Sequence, residues 1–194
     1  MANDLMLVVG LGNPGPGYAG NRHNVGQMVV DELARRIGAT FKSSRTNARV
    51  AEGRISVPGP RVVLAKPNSF MNVSGGPVSA LAKYYSVEPA RLVVVHDELD
   101  IPFDTVRLKL GGGPGGHNGV KDIAKALGPD FIRVRVGIGR PPGRMDPADF
   151  VLRDFSGPER DALPSLIVEA ADAVELIVRD GLTAAQQSVH APKG

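Results

Sequence analysis

Two side chains in this sequence have the chemistry needed to activate water, and they lie far apart along the chain. His23 stands in Arg22-His23-Asn24 at the start of a helical pattern, and Asp97 ends an apolar run. An imidazole oriented by a carboxylate is a general-base pair: the ring removes a proton from water and the carboxylate stabilises the imidazolium that forms. A helix N-terminus disfavours positive charge, so the placement of His23 predicts a ring kept neutral near pH 7. Asn13, Asn72 and Asn118 occupy three glycine-flanked loops at element boundaries. Asparagine favours turns and caps in its own right. A neutral amide also donates and accepts at once, which suits peptide backbone, water and a developing oxyanion.

Competing chemistries leave weaker traces. Gly10, Gly12 and Gly15 satisfy the dinucleotide spacing G-x-G-x-x-G, but Pro14 and Pro16 stand where the phosphate-binding helix should begin. Asp31 and Glu32, the acidic residues at the expected distance, fall inside a helical pattern and not at a strand end, so this reading fails its context. His96-Asp97-Glu98-Leu99-Asp100 invites a metal reading. Adjacent strand residues point to opposite faces, however, so His96 and Asp97 are poorly placed to share one ion. His96 is read instead as a buried, hydrogen-bonded residue, and Glu98 and Asp100 as turn formers. The loop Gly111 to Gly119 lacks the Lys-Ser/Thr ending of a nucleoside triphosphate loop; its six glycines suit close backbone approach by a substrate chain. There is no G-x-S-x-G elbow, and with no cysteine there is no disulfide, thiolate zinc site or thiol nucleophile.

Elements must bring these residues together. Leu5 to Val9 and Leu92 to Val95 read as buried strands, apolar on both faces. Val25, Met28, Val29, Leu33 and Ile37 recur at helical spacing before Gly38, which predicts a first helix from about Asn24 to Ile37, with Asn21 or Asn24 as its cap. Ala48 to Ile55 and Arg61 to Ala65 form an expected hairpin about Pro58-Gly59-Pro60. A second helix follows Lys66 to Gly76, with Val78, Leu81, Ala82 and Tyr85 on one face. A third carries Val120, Ile123, Ala124 and Leu127. The last, opened by the capping box Ser156 with Glu159, carries Leu163, Leu166, Ile167, Ala170, Val174 and Ile177. Thr105 to Leu110 alternates as a half-buried antiparallel strand, and Arg133 to Ile138 alternates again, basic against valine. The residues after Gly181, 181–194, read as a polar, loose tail.

This order predicts one α/β domain over residues 1–194, a twisted mixed β-sheet covered by helices on both faces. Ligands in such sheets sit beyond the carboxyl ends of the strands. Polar loops follow Val9, Ala65 and His96; if those strands are parallel, all three loops meet at one edge. The 194 residues suffice for one core without staples, since roughly 70% of the unfolded surface is buried at this length. Absent cysteines, and no leader or span-length apolar run, lead us to expect a cytoplasmic protein. The net charge of +3 allows a polyanionic partner. Aromatics at 5%, with no Trp, give no stacking platform for single strands. Arg107, Lys109, Arg133 and Arg135, with Lys121 nearby, form either the solvated side of a sheet or a phosphate-binding patch.

Five segments in order, VVGLGNPGPGYAGNRHNVG, AKPNSFMNVSGGPV, VVVHDELDIP, KLGGGPGGHNGVKDI and RVRVGIGRPPGRMDPADFVL, resemble the bacterial peptidyl-tRNA hydrolase family. The match covers nearly the whole chain and is least diagnostic after Phe155. Asn21 stands where the family is expected to have threonine, and Ser69 where threonine is common. The resemblance implies a monomeric esterase that cuts the bond between a peptide's C-terminal carbonyl and the 3′ ribose oxygen of tRNA, with no cofactor or metal and a flexible lid near the last helix and the Pro/Gly-rich loop from Arg140 to Pro147. By motif position it implies His23 as base and Asp97 as its orienting group. Asn13 and Asn118 would meet substrate or its terminal adenosine, Met71 and Asn72 the peptide, and Tyr18 the 3′ end. Lys109 and Arg135 would clamp an acceptor-stem phosphate. Two rivals remain: an RNA-binding module without turnover, and a metal-assisted phosphodiesterase built on residues 96–100.

Overall fold

The computed structural model describes residues 4–56 and 58–192. Seven strands form one sheet: β1 (Met6–Gly10), β2 (Lys42–Ser44), β3 (Ala48–Arg54), β4 (Arg61–Pro67), β5 (Leu92–Glu98), β6 (Val106–Leu110) and β7 (Ile132–Gly137). Among the described residues six α-helices accompany them: α1 (Val25–Arg36), α2 (Gly75–Tyr84), α3 (Asn118–Leu127), α4 (Pro147–Val151), α5 (Gly157–Asp180) and α6 (Leu182–Val189). The strand order is β2-β3-β4-β1-β5-β7-β6. β4, β1, β5 and β7 run parallel, flanked by the antiparallel hairpin strands β3 and β2 on one side and by antiparallel β6 on the other.

Why β1 and β5 lie at the centre is visible in their residues. Leu7, Val8, Val9, Leu92, Val93, Val94 and Val95 have no exposed surface, because both faces of these strands are covered. On one face Val8, Val93 and Val95 pack with Val29, Leu33 and the α5 residues Leu166, Ala170, Val174 and Ile177. On the other, Leu7, Val9, Leu92 and Val94 pack with Val78 and Leu81 of α2 and Val120 and Ile123 of α3. The expected mixed sheet covered on both faces is therefore present. The loops after β1, β4 and β5 leave one edge, since those strands are parallel neighbours.

Two glycines set how close α1 comes to that edge. A Cβ on Gly10 would lie 2.3 Å from the Gly26 carbonyl oxygen, and one on Gly26 would lie 2.2 Å from the Val95 carbonyl oxygen. Backbone thus meets backbone where β1, α1 and β5 cross. The chain entering α1, including His23, is drawn over the end of β5.

Several expectations are corrected. The first helix begins with a 3₁₀ turn, Arg22–Asn24, and neither Asn21 nor Asn24 caps it with a side chain. Residues 182–189 are helix α6 and not a loose tail; residues 193 and 194 of that tail lie outside the described residues. Ala185 is buried in the core. The Gln186 amide donates to the Leu108 carbonyl at 3.2 Å, and the Leu108 N–H donates to His190 Nε2 at 2.9 Å. These two bonds tie α6 to edge strand β6, an attachment that periodicity does not reveal. The capping box is as expected: Ser156 Oγ accepts from the Glu159 N–H, and Glu159 accepts from the Ser156 N–H.

Candidate active site

The cleft is assembled from the residues that leave the sheet edge. A cavity of about 360 Å³ is lined by Asn13 from the loop after β1, His23 from the 3₁₀ turn, Phe70, Met71 and Asn72 from the loop after β4, and Asp97, Glu98 and Leu99 at the end of β5. Gly115 to Asn118 form another side. Pro147, Ala148, Val151 and Leu152, on and just after α4, form the remaining wall.

At its floor, His23 Nδ1 lies 2.9 and 3.0 Å from the two Asp97 carboxylate oxygens. An Nδ1–H donating to Asp97 leaves Nε2 as the ring's basic atom, and Nε2 has no protein partner among the described residues. Burial of the ring disfavours its charged form, but the charge of Asp97 and its hydrogen bond outweigh this and raise the imidazole above its ordinary 6.5. The helix-dipole expectation of a lowered value is therefore reversed: a full charge in contact exceeds the partial charge of a helix end. Asp97 is buried, which alone would raise its carboxyl. The facing rings of His23 and His117 hold it well below the usual carboxylate range instead.

His117 is the residue that sequence reasoning missed. Its Nε2 lies 2.9 Å from Asp97 Oδ1, while its Nδ1 accepts from the Val120 N–H at 3.3 Å as the cap of α3. Those two bonds require the proton on Nε2. Asp97 thus accepts from two histidines, whose ring centres are 4.8 Å apart. A signal was present: His117-Asn118 repeats the His-Asn pair of His23-Asn24 at a helix start. His96 is buried as expected, with Nδ1 2.7 Å from the Asp97 carbonyl oxygen. Burial first, and His117 second, lower it to about 3, so it stays neutral. His23, Asp97 and His117 offer atoms close enough together to hold a metal ion. The two ring nitrogens involved already spend their protons on Asp97, and an ion would have to replace both.

Asn13 is locked in place. Its N–H donates to Asn24 Oδ1 at 2.9 Å, Asn24 Nδ2 donates to its carbonyl at 3.0 Å, and its Oδ1 accepts from the Met71 N–H at 2.7 Å. With Oδ1 engaged, Nδ2 is the group left for a ligand. Asn72 and Asn118 are exposed and line the cavity, and Met71 is buried against its wall. Tyr18 is not a lining residue. It stands edge-on to Phe70, ring centres 6.2 Å apart, and Phe70 lies at the rim.

The basic strands are a separate feature. Arg107 faces Arg135 and Lys109 faces Arg133 across the β6–β7 ladder, so Lys109 and Arg135 are diagonal neighbours on one face. Arg133 does not belong to a patch. It is buried, and its guanidinium donates to the carbonyls of Gly112, Gly113 and Pro129, which pins the glycine loop across β7. Six loop residues thereby cross the sheet from the end of β6 to deliver His117 to Asp97. Arg107, Lys109 and Arg135 keep some exposure. Glu98 is not in the turn as expected but ends β5 and lines the cleft; Asp100 lies in the turn that follows, where its N–H donates weakly to Glu98 and its carboxylate pairs with Arg140.

Fold and cleft together define an α/β protein able to activate water with a carboxylate-oriented histidine. The family model of peptidyl-tRNA hydrolase matches residues 7–194. The chain is 66% identical over 191 residues to a peptidyl-tRNA hydrolase of Pseudarthrobacter chlorophenolicus, covering 98% of this chain and 97% of that one. It is also 66% identical over 187 residues to one of Leifsonia xyli subsp. xyli, covering 96% and 97%. The crystal structure of peptidyl-tRNA hydrolase from Acinetobacter baumannii superposes with a TM-score of 0.91 at 36% identity, covering 100% of this chain and 98% of that one. The chain belongs to the peptidyl-tRNA hydrolase family.

Proposed function

We propose that this chain hydrolyses the ester joining the C-terminal carbonyl of a peptide to the 3′ ribose oxygen of tRNA. The observation that carries the reading is the His23–Asp97 pair, with His23 Nε2 unpartnered at an amide-lined cleft. Water loses a proton to Nε2 as its oxygen attacks the carbonyl, and Asp97 stabilises the imidazolium through Nδ1–H. Collapse of the tetrahedral intermediate breaks the bond to the ribose oxygen, which takes the proton back from Nε2. The Asn13 amide, held by its Oδ1, is a preorganised donor for the oxyanion; one such donor is worth about 10² to 10³-fold. Met71 and Asn72 contact the peptide near the ester, Asn118 meets the substrate or its terminal adenosine, and Tyr18 stands by the 3′ end. One copy of the chain suffices, and no metal or cofactor takes part.

The test is release of tRNA from an N-blocked aminoacyl-tRNA, with and without chelator. Turnover unaffected by EDTA is expected. Binding without turnover would leave only an RNA-binding module, and loss of activity with EDTA would favour a metal held by His23, Asp97 and His117.

Lys109 and Arg135 clamp one phosphate of the acceptor stem, and their diagonal placement beside the glycine loop, both part-exposed, supports this. Backbone contacts of this kind position a nucleic acid without reading its sequence. Lys109→Ala and Arg135→Ala should each weaken tRNA binding and reduce the slope of log affinity against log salt by about one unit. Wild-type affinity in both variants across a salt titration would remove the clamp.

A further inference from the structure

The turn that carries His23 is fastened to the opposite wall of its own cleft. Arg22, immediately before the histidine, is buried, with 6% of its surface exposed. Its guanidinium donates to the Phe150 carbonyl of α4 at 3.1 Å and pairs with Glu159 at 2.7 Å. It also lies over the Phe150 ring, 3.9 Å from the ring centre. The Arg22 N–H donates to the Arg153 carbonyl at 3.0 Å. One residue earlier, the Asn21 amide donates to Asp154 at 2.8 Å. Glu159 Oε1, which receives Arg22, also accepts the Ser156 N–H in the capping box of α5. The start of α5, the body of α4 and the His23 turn are therefore joined through one guanidinium.

These contacts are costly to leave unmade. A buried guanidinium without its carboxylate is an uncompensated charge, and Glu159 would lose the partner that, with the Ser156 N–H, holds its carboxyl low against burial. Tight fixing on this scale is more than α4 needs for burial alone. Phe150 and Val151 already pack into the core. Arg22 adds a directional link between the wall formed by Pro147, Ala148 and Val151 and the residue beside the base.

We propose that Arg22 is a positioning residue: it ties the His23 turn to α4 and to the start of α5, and so fixes the His23 ring against Asp97. The proposal rests on His23 acting as the base. Arg22 touches neither the cavity nor the reacting atoms; it acts by holding His23 against Asp97 from one side and α4 from the other.

Arg22→Met keeps an apolar stem against Phe150 and removes every charged bond. Glu159→Gln keeps an acceptor for the Ser156 N–H and removes only the charge. In the full-length protein, the His23 ring is titrated by NMR and kcat and KM are measured on N-blocked aminoacyl-tRNA. Displacing a reacting group by about 1 Å costs about 10²-fold, so Arg22→Met should lose about that much in kcat with a smaller change in KM. The His23 midpoint should drop from its raised position toward 6.5 as its contact with Asp97 loosens. Glu159→Gln should shift both readouts in the same direction by less. Folded variants with a wild-type titration and wild-type kcat would overturn the coupling while leaving the base assignment intact. If His23→Ala retained turnover, the base assignment would fall, whatever the titrations in the Arg22 and Glu159 variants gave. Should Arg22→Met fail to fold, Glu159→Gln decides alone.

Discussion

His23→Ala is expected to lose at least about 10²- to 10⁴-fold in hydrolysis, the usual worth of a positioned general base, while tRNA affinity changes little. The proposed phosphate clamp, Lys109 and Arg135, is not among the residues that line the cleft, so binding and turnover should part company in this variant. The wild-type pH profile supplies an independent check. The base works only when deprotonated, and its folded pKa is raised, so kcat/KM should fall as pH drops through a midpoint above 6.5. A flat profile from pH 5 to 8, or full activity in the alanine variant, would exclude His23 as the base.

Asp97→Asn should be nearly as damaging, for a reason of tautomers. The carboxylate accepts from both His23 Nδ1 and His117 Nε2. An amide offers one acceptor and one donor. If its NH₂ faces His23, the ring must accept at Nδ1 and carry its proton on Nε2, the wrong nitrogen for a base. If it faces His117, the displaced proton opposes the Val120 N–H. A loss of about 10² to 10⁴-fold in kcat is expected, by analogy with the cost of a wrong tautomer in a histidine–aspartate pair. The variant's acid limb should also move below 6.5, because burial still disfavours the imidazolium and the opposing charge is gone. An acid limb that stays where the wild type has it would show that Asp97 does not set the ring's charge.

The same pair bears on stability. Asp97, depressed in the fold, contributes stability that is full above the ordinary carboxylate value near pH 4 and lost as pH falls toward its folded value. His23, raised in the fold, contributes stability that is full below 6.5 and lost as pH rises through its folded value. Their contributions therefore overlap in the mildly acidic range.

What could be read from the sequence followed from strong, local signals. The unbroken apolar runs of β1 and β5 marked them as central; Asn13 and His23 follow β1, and Asp97 lies at the end of β5, which runs on past His96 to Glu98. The alternation of Thr105 to Leu110 gave an antiparallel strand with its basic side identified. The misreadings came from residues whose role is decided by distant partners. Arg133 has the same alternation as Arg135, yet it lies under the glycine loop, and nothing in the spacing distinguishes a covered arginine from an open one. In sequence, His117 is only one residue of a glycine loop suited to a substrate chain, because the bond that brings it to Asp97 spans 20 residues. α6 is too short and too polar to announce itself, and it is held by side-chain bonds to Leu108. The sign of the His23 shift depended on a carboxylate 74 residues away, and a local dipole argument could not weigh it.

The crossing of Gly10, Gly26 and the Val95 carbonyl has a consequence for tolerance. Side chains that meet across a core can change rotamer, and small errors in one are absorbed by its neighbours. Main chain resting on main chain has no such slack. The offset between the start of α1 and the end of β5 is therefore fixed like the thickness of a spacer, with nothing adjustable in between. If His23 is the base proposed above, the reach of its nitrogen takes its dimensional accuracy from two missing methyl groups.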